Sequence, residues 1–123
     1  MKEIRVVKKN KKVEGTIQLD GSKSLSNRAL VLRALGQSDF KIENLSTSKD
    51  TQTLVKLLEQ DGEMYDAGHA GTTFRFMTAY LAFKDGEQIL TGSERMKQRP
   101  IGKLVDALNI IGANIEYLEN EGF

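Results

Sequence analysis

The sequence predicts a mixed α/β fold of the α+β type. Helical and extended patterns alternate along its 123 residues, of which 39% are hydrophobic, 28% are charged and one is proline. This composition is typical of a globular chain and argues against disorder. A chain of this length can bury a core without disulfide bonds, and having no cysteine it forms none.

The first predicted element is a strand over residues 13–19, where apolar side chains alternate with small or polar ones. A helix follows over residues 25–35, with serines before it as caps and Gly36 to stop it. Phe40 and Ile42 mark another short strand.

Two further helices are predicted in the middle of the chain. Ser48 and Asp50 suit a helix start, and Gly62 is expected to end that helix. Thr72 is expected to cap a third helix, which stops near residues 85–86.

The remaining elements are predicted in the same way. Residues 88–91 have the pattern of a strand, and Pro100 suits the first turn of a helix that Gly112 follows. A strand over residues 114–118 comes last.

The chain also contains an apparent internal repeat. Residues 54–62 align with residues 104–112, and residues 24–28 align with residues 71–75. Chance similarity between two amphipathic helices is the alternative. If the repeat is real, two copies rarely close an architecture, so we expect the chain to be incomplete.

The charge and hydropathy of the sequence limit the classes of function that the chain can have. Eighteen basic and seventeen acidic residues give a net charge of +1, which argues against a general nucleic-acid binder. The basic run within the first twelve residues, densest at residues 8–12, is interpreted as a solvated turn, with binding to RNA or to an anionic membrane as the alternatives. No apolar run approaches the length of a membrane span, and the start has no apolar signal core, so we expect a cytoplasmic protein.

Three segments combine glycine, hydroxyl groups and basic side chains at predicted helix starts: residues 21–28, 67–75 and 92–100. The first turn of a helix offers unpaired N–H groups and a partial positive charge, which attract anions. Ordinary caps and solvated charges are the alternative for each segment. Together they suit a small substrate with more than one phosphate or carboxylate.

Other common sites are excluded by their missing patterns. The P-loop spacing and the dinucleotide glycine fingerprint are absent. A single histidine and no cysteine argue against a structural zinc site and against a Ser–His–Asp arrangement.

Five stretches resemble the 5-enolpyruvylshikimate-3-phosphate synthase family and occur in the family's order: GSKSLSNRAL, SKDTQTLVKLL, GHAGTTFRF, LTGSERMKQRPIGKLVDAL and IGANIEY. The sister family, the UDP-N-acetylglucosamine enolpyruvyltransferases, has GAKNA as its first motif and a loop cysteine that is absent here. The resemblance implies transfer of the enolpyruvyl group of phosphoenolpyruvate to the 5-hydroxyl of shikimate 3-phosphate. This is a step of the shikimate pathway to aromatic amino acids, and it needs no metal or organic cofactor.

The resemblance also implies roles for individual residues of the first segment. Lys23 is expected to be catalytic, lying between the two substrates and contacting phosphoenolpyruvate. Ser24 and Arg28 are expected to hold shikimate 3-phosphate. Asp20 departs from the family, which commonly has proline there, and it puts a negative charge beside an anion-binding segment.

In the other two segments, the resemblance implies a binding site for phosphoenolpyruvate. Gly71 and its adjacent backbone are expected to pack against that substrate, with Thr72 supporting the loop. Arg99 is expected to grip the substrate, and Arg75 to support the site. His69 stands where the family usually has asparagine, which helps to position phosphoenolpyruvate.

Family members are several times longer and have two domains, each of three repeated βαβαββ-type units. Residues 1–12, with a first strand over residues 4–7 and a basic turn, are expected to belong to the other domain. Residues 13–123 are expected to form about two units of a partial N-terminal domain. The partner expected is the missing C-terminal part of the same enzyme, so the chain alone is expected to be inactive. A stand-alone anion-binding module of the same fold is the alternative.

Overall fold

The computed structural model describes residues 2–119, which form five helices and two short strands. In chain order these are α1 (Lys23–Leu35), α2 (Lys49–Glu59), β1 (Met64–Asp66), α3 (Gly71–Ala82), β2 (Ile89–Thr91), α4 (Glu94–Lys97) and α5 (Gly102–Ile110). The strands β1 and β2 pair in parallel, with Tyr65 opposite Leu90. The predicted mixed α/β class is confirmed.

The core lies where α1, α2 and α3 meet the two-stranded sheet. Leu30, Leu54, Leu57, Tyr65 and Met77 are all at most 2% exposed. Burying side chains of this size stabilises a fold by roughly 1.5–3 kcal/mol each. Each of the three long helices contributes to this cluster, so α1, α2 and α3 pack against one another.

The predicted serine caps of two helices are confirmed, although α1 begins at Lys23, two residues before its predicted start. The hydroxyl of Ser22 accepts a hydrogen bond from the N–H of Leu25 and caps α1, and Ser48 caps α2 in the same way through Thr51. A serine cap is typically worth about 1 kcal/mol. Gly36 follows the last residue of α1, as predicted.

Other helix boundaries differ from those predicted. Thr72 lies inside α3, because the helix begins one residue earlier at Gly71 and has no side-chain cap. α3 ends at Ala82, before the glycine expected to stop it, and α2 ends at Glu59 rather than at Gly62. Pro100 precedes α5 instead of lying in its first turn, since a short helix, α4, comes before it.

Most of the predicted strands are absent from the described residues. Residues 4–7, 13–19 and 114–118, and the Phe40–Ile42 segment, have no strand assignment in the structure. Alternation of side chains makes a strand only when another strand pairs with its backbone, and residues 2–119 provide no such partner here. Val13, Ile17 and Leu19 are accordingly 83%, 82% and 75% exposed.

The strand β1 has no counterpart among the predicted strands, because its three residues are too few for a clear period-two pattern. The C-terminal bound predicted at residue 123 lies outside the described residues. No helix within residues 2–119 has the length and apolarity that crossing a membrane requires. Nor do those residues contain a cluster of acidic or histidine side chains fit to hold a metal ion.

A candidate anion-binding site at three helix starts

The first candidate segment lies at the start of α1. The Nζ of Lys23 lies 3.3 Å from Oδ2 of Asp50, in the first turn of α2, and the Lys23 side chain is half exposed. The guanidinium of Arg28 donates to the Ser24 carbonyl at 3.3 Å, so it folds back along the first turn. Lys23, Ser24 and Arg28 therefore share one helix end, with two positive charges open to solvent.

The chain entering α1 is held by two contacts. The Asp20 carboxylate accepts hydrogen bonds from the backbone N–H and the hydroxyl of Thr47, at 2.7 and 2.8 Å. These bonds hold the pKa of Asp20 below its ordinary value. At the next residue, a side chain on Gly21 would overlap the Asn44 carbonyl, so only glycine fits. Asp20 therefore anchors this segment to the loop before α2.

The second candidate segment is the turn that leads from β1 into α3. Asp66 Oδ1 accepts the N–H of Gly68 at 2.8 Å, and Gly68 has a left-handed φ of +55°. Ala70 precedes α3 without making a side-chain cap, and α3 then begins at Gly71. With no side-chain cap, the first-turn N–H groups of α3 have no acceptor among the described residues and can serve as donors for an anion.

The third candidate segment brings Arg99 onto the second. Ser93 caps α4 through the N–H of Met96, and the chain turns so that the Arg99 N–H donates to the Met96 carbonyl at 3.0 Å. The Arg99 guanidinium then lies against Gly71, where a side chain at position 71 would overlap it. Arg75 donates to the Pro100 carbonyl at 2.6 Å and fixes the same loop.

A shallow crevice of about 10 Å³ lies at this contact and is lined by Gly71, Phe74, Arg75, Met96, Arg99, Pro100 and Ile101. That volume is about the size of one water probe. The Arg99 side chain is one of the walls of this crevice, beside the first turn of α3.

The second and third segments are bonded directly, and Asp50 connects the second segment to the first. The N–H of Ser93 donates to the Gly68 carbonyl at 3.0 Å, which joins the third segment to the second. The hydroxyl of Thr73 donates to the Asp50 carbonyl at 3.0 Å, and Asp50 in turn pairs with Lys23. The fold thus connects segments that are far apart in sequence.

The remaining candidates are less closely integrated. His69 and Thr72 are exposed, and within residues 2–119 neither side chain makes a hydrogen bond. Lys97 is held by Glu119 at 2.8 Å and Glu94 at 3.4 Å, and the bond to Glu119 raises the pKa of Lys97. The positive charge of Lys97 is therefore already balanced by two glutamates, whereas Arg99 makes no ion pair within the described residues.

Sequence reasoning missed two contributors, the carboxylate of Asp50 and the hydroxyl of Thr73. The sequence predicts Asp50 only as part of a helix start, and nothing in its spacing indicates a contact with a lysine 27 residues away. Both contacts depend on how α1, α2 and α3 pack.

Comparison with known proteins decides the family. A sequence model described as EPSP synthase (3-phosphoshikimate 1-carboxyvinyltransferase) matches residues 7–64 and 56–123. The chain belongs to the EPSP synthase family. The two matches overlap at residues 56–64, where α2 ends and β1 begins.

Curated relatives agree with that assignment. A 3-phosphoshikimate 1-carboxyvinyltransferase of Bacteroides fragilis (strain YCH46) is 51% identical over 90% of this chain and 27% of its own length. Relatives of the same name from Vibrio vulnificus (strain YJ016) and Haemophilus influenzae (strain PittEE) are 41% and 44% identical, over 92% and 90% of this chain. The chain spans 27–32% of the length of these relatives.

Proposed function

We propose that the chain forms the N-terminal, substrate-binding part of a 3-phosphoshikimate 1-carboxyvinyltransferase. In that reaction the enolpyruvyl group of phosphoenolpyruvate is transferred to the 5-hydroxyl of shikimate 3-phosphate, and phosphate is released. The observation that carries the proposal is the packing of Arg99 on Gly71, which joins two family motifs at one helix start.

Under this proposal, α1 holds shikimate 3-phosphate and contributes the catalytic lysine. Ser24 lies beside Lys23 in the first turn of α1, and Arg28, one turn further along, reaches back to the Ser24 carbonyl. A guanidinium with a hydroxyl suits a phosphate. Lys23 serves between the two substrates as a compact positive charge. Its present partner, Asp50, is 30% exposed at the side chain, so the ammonium can exchange that partner for a substrate anion.

The start of α3 is proposed to hold phosphoenolpyruvate. The backbone at Gly71 lets the ligand approach the first-turn N–H groups, and Arg99 supplies a planar fork for its phosphate or carboxylate. The bond from Arg75 to the loop at Pro100 supports Arg99 in place. Thr72 and His69 are exposed on the same turn, and we assign them supporting contacts to that substrate.

We also propose that the chain holds about two of the repeated βαβαββ-type units. In support, α1 and α3 each begin at a candidate segment, and α2 and α5 are each followed by a glycine with positive φ. Those glycines are Gly62 at +139° and Gly112 at +109°. We assign residues 1–12 to the other domain of the longer protein, and residues 13–123 to the partial N-terminal domain.

Because the relatives are about three times longer, the C-terminal part of the same enzyme is the partner that we propose for this chain. Closure of two domains around substrates excludes water and assembles the reacting groups. Mixed with both substrates, the chain alone should therefore release no phosphate above background. The relatives described above are all named 3-phosphoshikimate 1-carboxyvinyltransferase. Those names favour the proposed function over that of a UDP-N-acetylglucosamine enolpyruvyltransferase or of a stand-alone binding module.

An NMR titration tests the binding half of the proposal. The ¹⁵N-labelled chain is titrated with shikimate 3-phosphate to about 10 mM, a range that detects affinities of a few kcal/mol. We expect the amide signals of Lys23, Ser24 and Arg28 to shift together and saturate. Shikimate, which lacks the phosphate, should shift them far less.

The matched control is Lys56→Ala, which removes an exposed lysine from α2 and should leave the titration unchanged. Lys23→Ala should weaken the binding of shikimate 3-phosphate. Shifts confined to residues 8–12, or none at the start of α1, would contradict the proposal.

A further inference from the structure

Thr73 lies at the junction between two of the candidate segments. It is 0% exposed in the first turn of α3, two residues after Gly71. Its hydroxyl donates a 3.0 Å hydrogen bond to the backbone carbonyl of Asp50 in α2. The carboxylate of that same residue lies 3.3 Å from the Lys23 ammonium.

A second buried threonine in α3 shows that this bond is not the usual one. Thr78 is 8% exposed, and its hydroxyl donates at 2.9 Å to the Phe74 carbonyl of the same helix. A threonine within a helix commonly bonds the carbonyl four residues earlier in this way. The Thr73 hydroxyl instead donates its hydrogen bond to a neighbouring helix, so this bond fixes the position of α2 relative to α3.

The other side of the α2 start is held equally firmly. The Thr51 hydroxyl donates at 2.8 Å to Oδ1 of Asn27 in α1, and both residues are fully buried. Asp50 therefore lies between a bond to α1 through Thr51 and a bond to α3 through Thr73. Its backbone has little freedom to move.

We propose that Thr73 is a positioning residue that fixes Asp50 and, through it, the Lys23 ammonium relative to the start of α3. The Asp50 backbone is held from both sides, so its carboxylate is presented at a fixed place. The partly exposed ion pair, although weak by itself, favours the Lys23 ammonium at that place. The consequence for substrate binding rests on the function proposed above; the positioning itself does not.

Three variants of the 123-residue chain test this inference. Thr73→Val keeps the side-chain shape and removes the hydroxyl, Thr73→Ser restores the hydroxyl, and Thr78→Val removes the hydroxyl that stays within α3. The first readout is the pair of ¹³Cε and ¹⁵Nζ NMR signals of Lys23. The second is the dissociation constant for phosphoenolpyruvate, and circular dichroism checks that each variant is folded.

We expect T73V to move the Lys23 signals and to weaken phosphoenolpyruvate binding about fivefold, the effect of one net hydrogen bond. T73S should bring both readouts back toward the parent chain. T78V should lower stability without changing either. If T73V does not fold, Thr73→Ala, which also lacks the hydroxyl but introduces no methyl against the carbonyl, replaces it.

Unmoved Lys23 signals in folded T73V, or an equal movement in T78V, would overturn the positioning role. Absence of phosphoenolpyruvate binding by the parent chain would count against the proposed function instead. The Lys23 signals would then still decide the role of Thr73, so the two failures are distinguishable.

Discussion

The guanidinium of Arg99 lies directly against the α-carbon of Gly71, in the space that a side chain at position 71 would occupy. These residues are 28 positions apart, and α3 and the loop after α4 bring them together. The absence of a β-carbon at position 71 is therefore a condition for the placement of Arg99. Since Arg99 makes no ion pair within residues 2–119, its charge remains available to a ligand.

The first prediction concerns this contact. Gly71→Ala should displace Arg99 and weaken phosphoenolpyruvate binding by about ten- to hundredfold, because charge-assisted hydrogen bonds contribute roughly 1.5–3 kcal/mol. Isothermal titration of the chain measures the loss. The matched test introduces Gly71→Ala into an Arg99→Ala variant, where it should weaken phosphoenolpyruvate binding by almost nothing further. Additive losses would show that Gly71 does not act through Arg99.

The second prediction separates the two substrates. Arg99→Ala should weaken phosphoenolpyruvate binding far more than shikimate 3-phosphate binding, because Arg99 lies at the start of α3 and not of α1. Arg99→Lys should fall in between, since an ammonium keeps the charge but loses the planar fork. Both affinities are measured by the same titration. Equal losses for the two ligands would defeat the assignment of Arg99.

The third prediction is a pH dependence at Asp20. Bonds from Thr47 lower the pKa of Asp20, so its contribution to stability is present above the ordinary carboxyl value, about 4, and is lost as pH falls through the lowered pKa. Asp20→Asn should therefore lower the melting temperature at neutral pH. The difference in melting temperature between this variant and the parent chain should become smaller in acid. Thermal unfolding from about pH 7 to about pH 2.5 measures this.

Asp39→Asn is the control for that series, because Asp39 is exposed and its carboxylate makes no hydrogen bond within residues 2–119. It should show no comparable narrowing. A gap between parent and Asp20→Asn that stays constant into acid would refute the role of the Thr47 bonds.

The fourth prediction concerns the entry to α1. Gly21→Ala should lower the free energy of unfolding by about 1–3 kcal/mol, because the new methyl meets the rigid carbonyl of Asn44. Chemical denaturation measures the change. Lys56→Ala, on the exposed face of α2, should change it by only about 0.5 kcal/mol or less. A loss no larger than this control would indicate that the Asn44 loop moves aside.

The sequence was a good guide to features that depend on short stretches of chain. Serines cap α1 and α2, as the sequence predicts, because a serine hydroxyl satisfies N–H groups only two or three residues ahead. The candidate segments at the starts of α1 and α3 were found for the same reason. Their glycines, hydroxyls and bases are adjacent in sequence.

Features that depend on distant partners could not be predicted in this way. The alternation over residues 13–19 is strand-like, but no other described segment pairs with it. The bond from Thr73 to Asp50 joins side chains 23 positions apart, and no periodicity encodes such a contact. The negative charge of Asp20 beside an anion-binding segment is explained by its hydrogen bonds from Thr47, 27 positions away.

The most direct test of the proposed function is an exchange of segments. This chain replaces the matching 111 residues of the Bacteroides fragilis relative, to which it is 51% identical, and phosphate release from phosphoenolpyruvate and shikimate 3-phosphate is measured. We predict that the chimaera releases phosphate, and that Lys23→Ala within it reduces the rate by about 10²-fold or more. A folded chimaera that releases none, or one that Lys23→Ala leaves unchanged, would contradict the account.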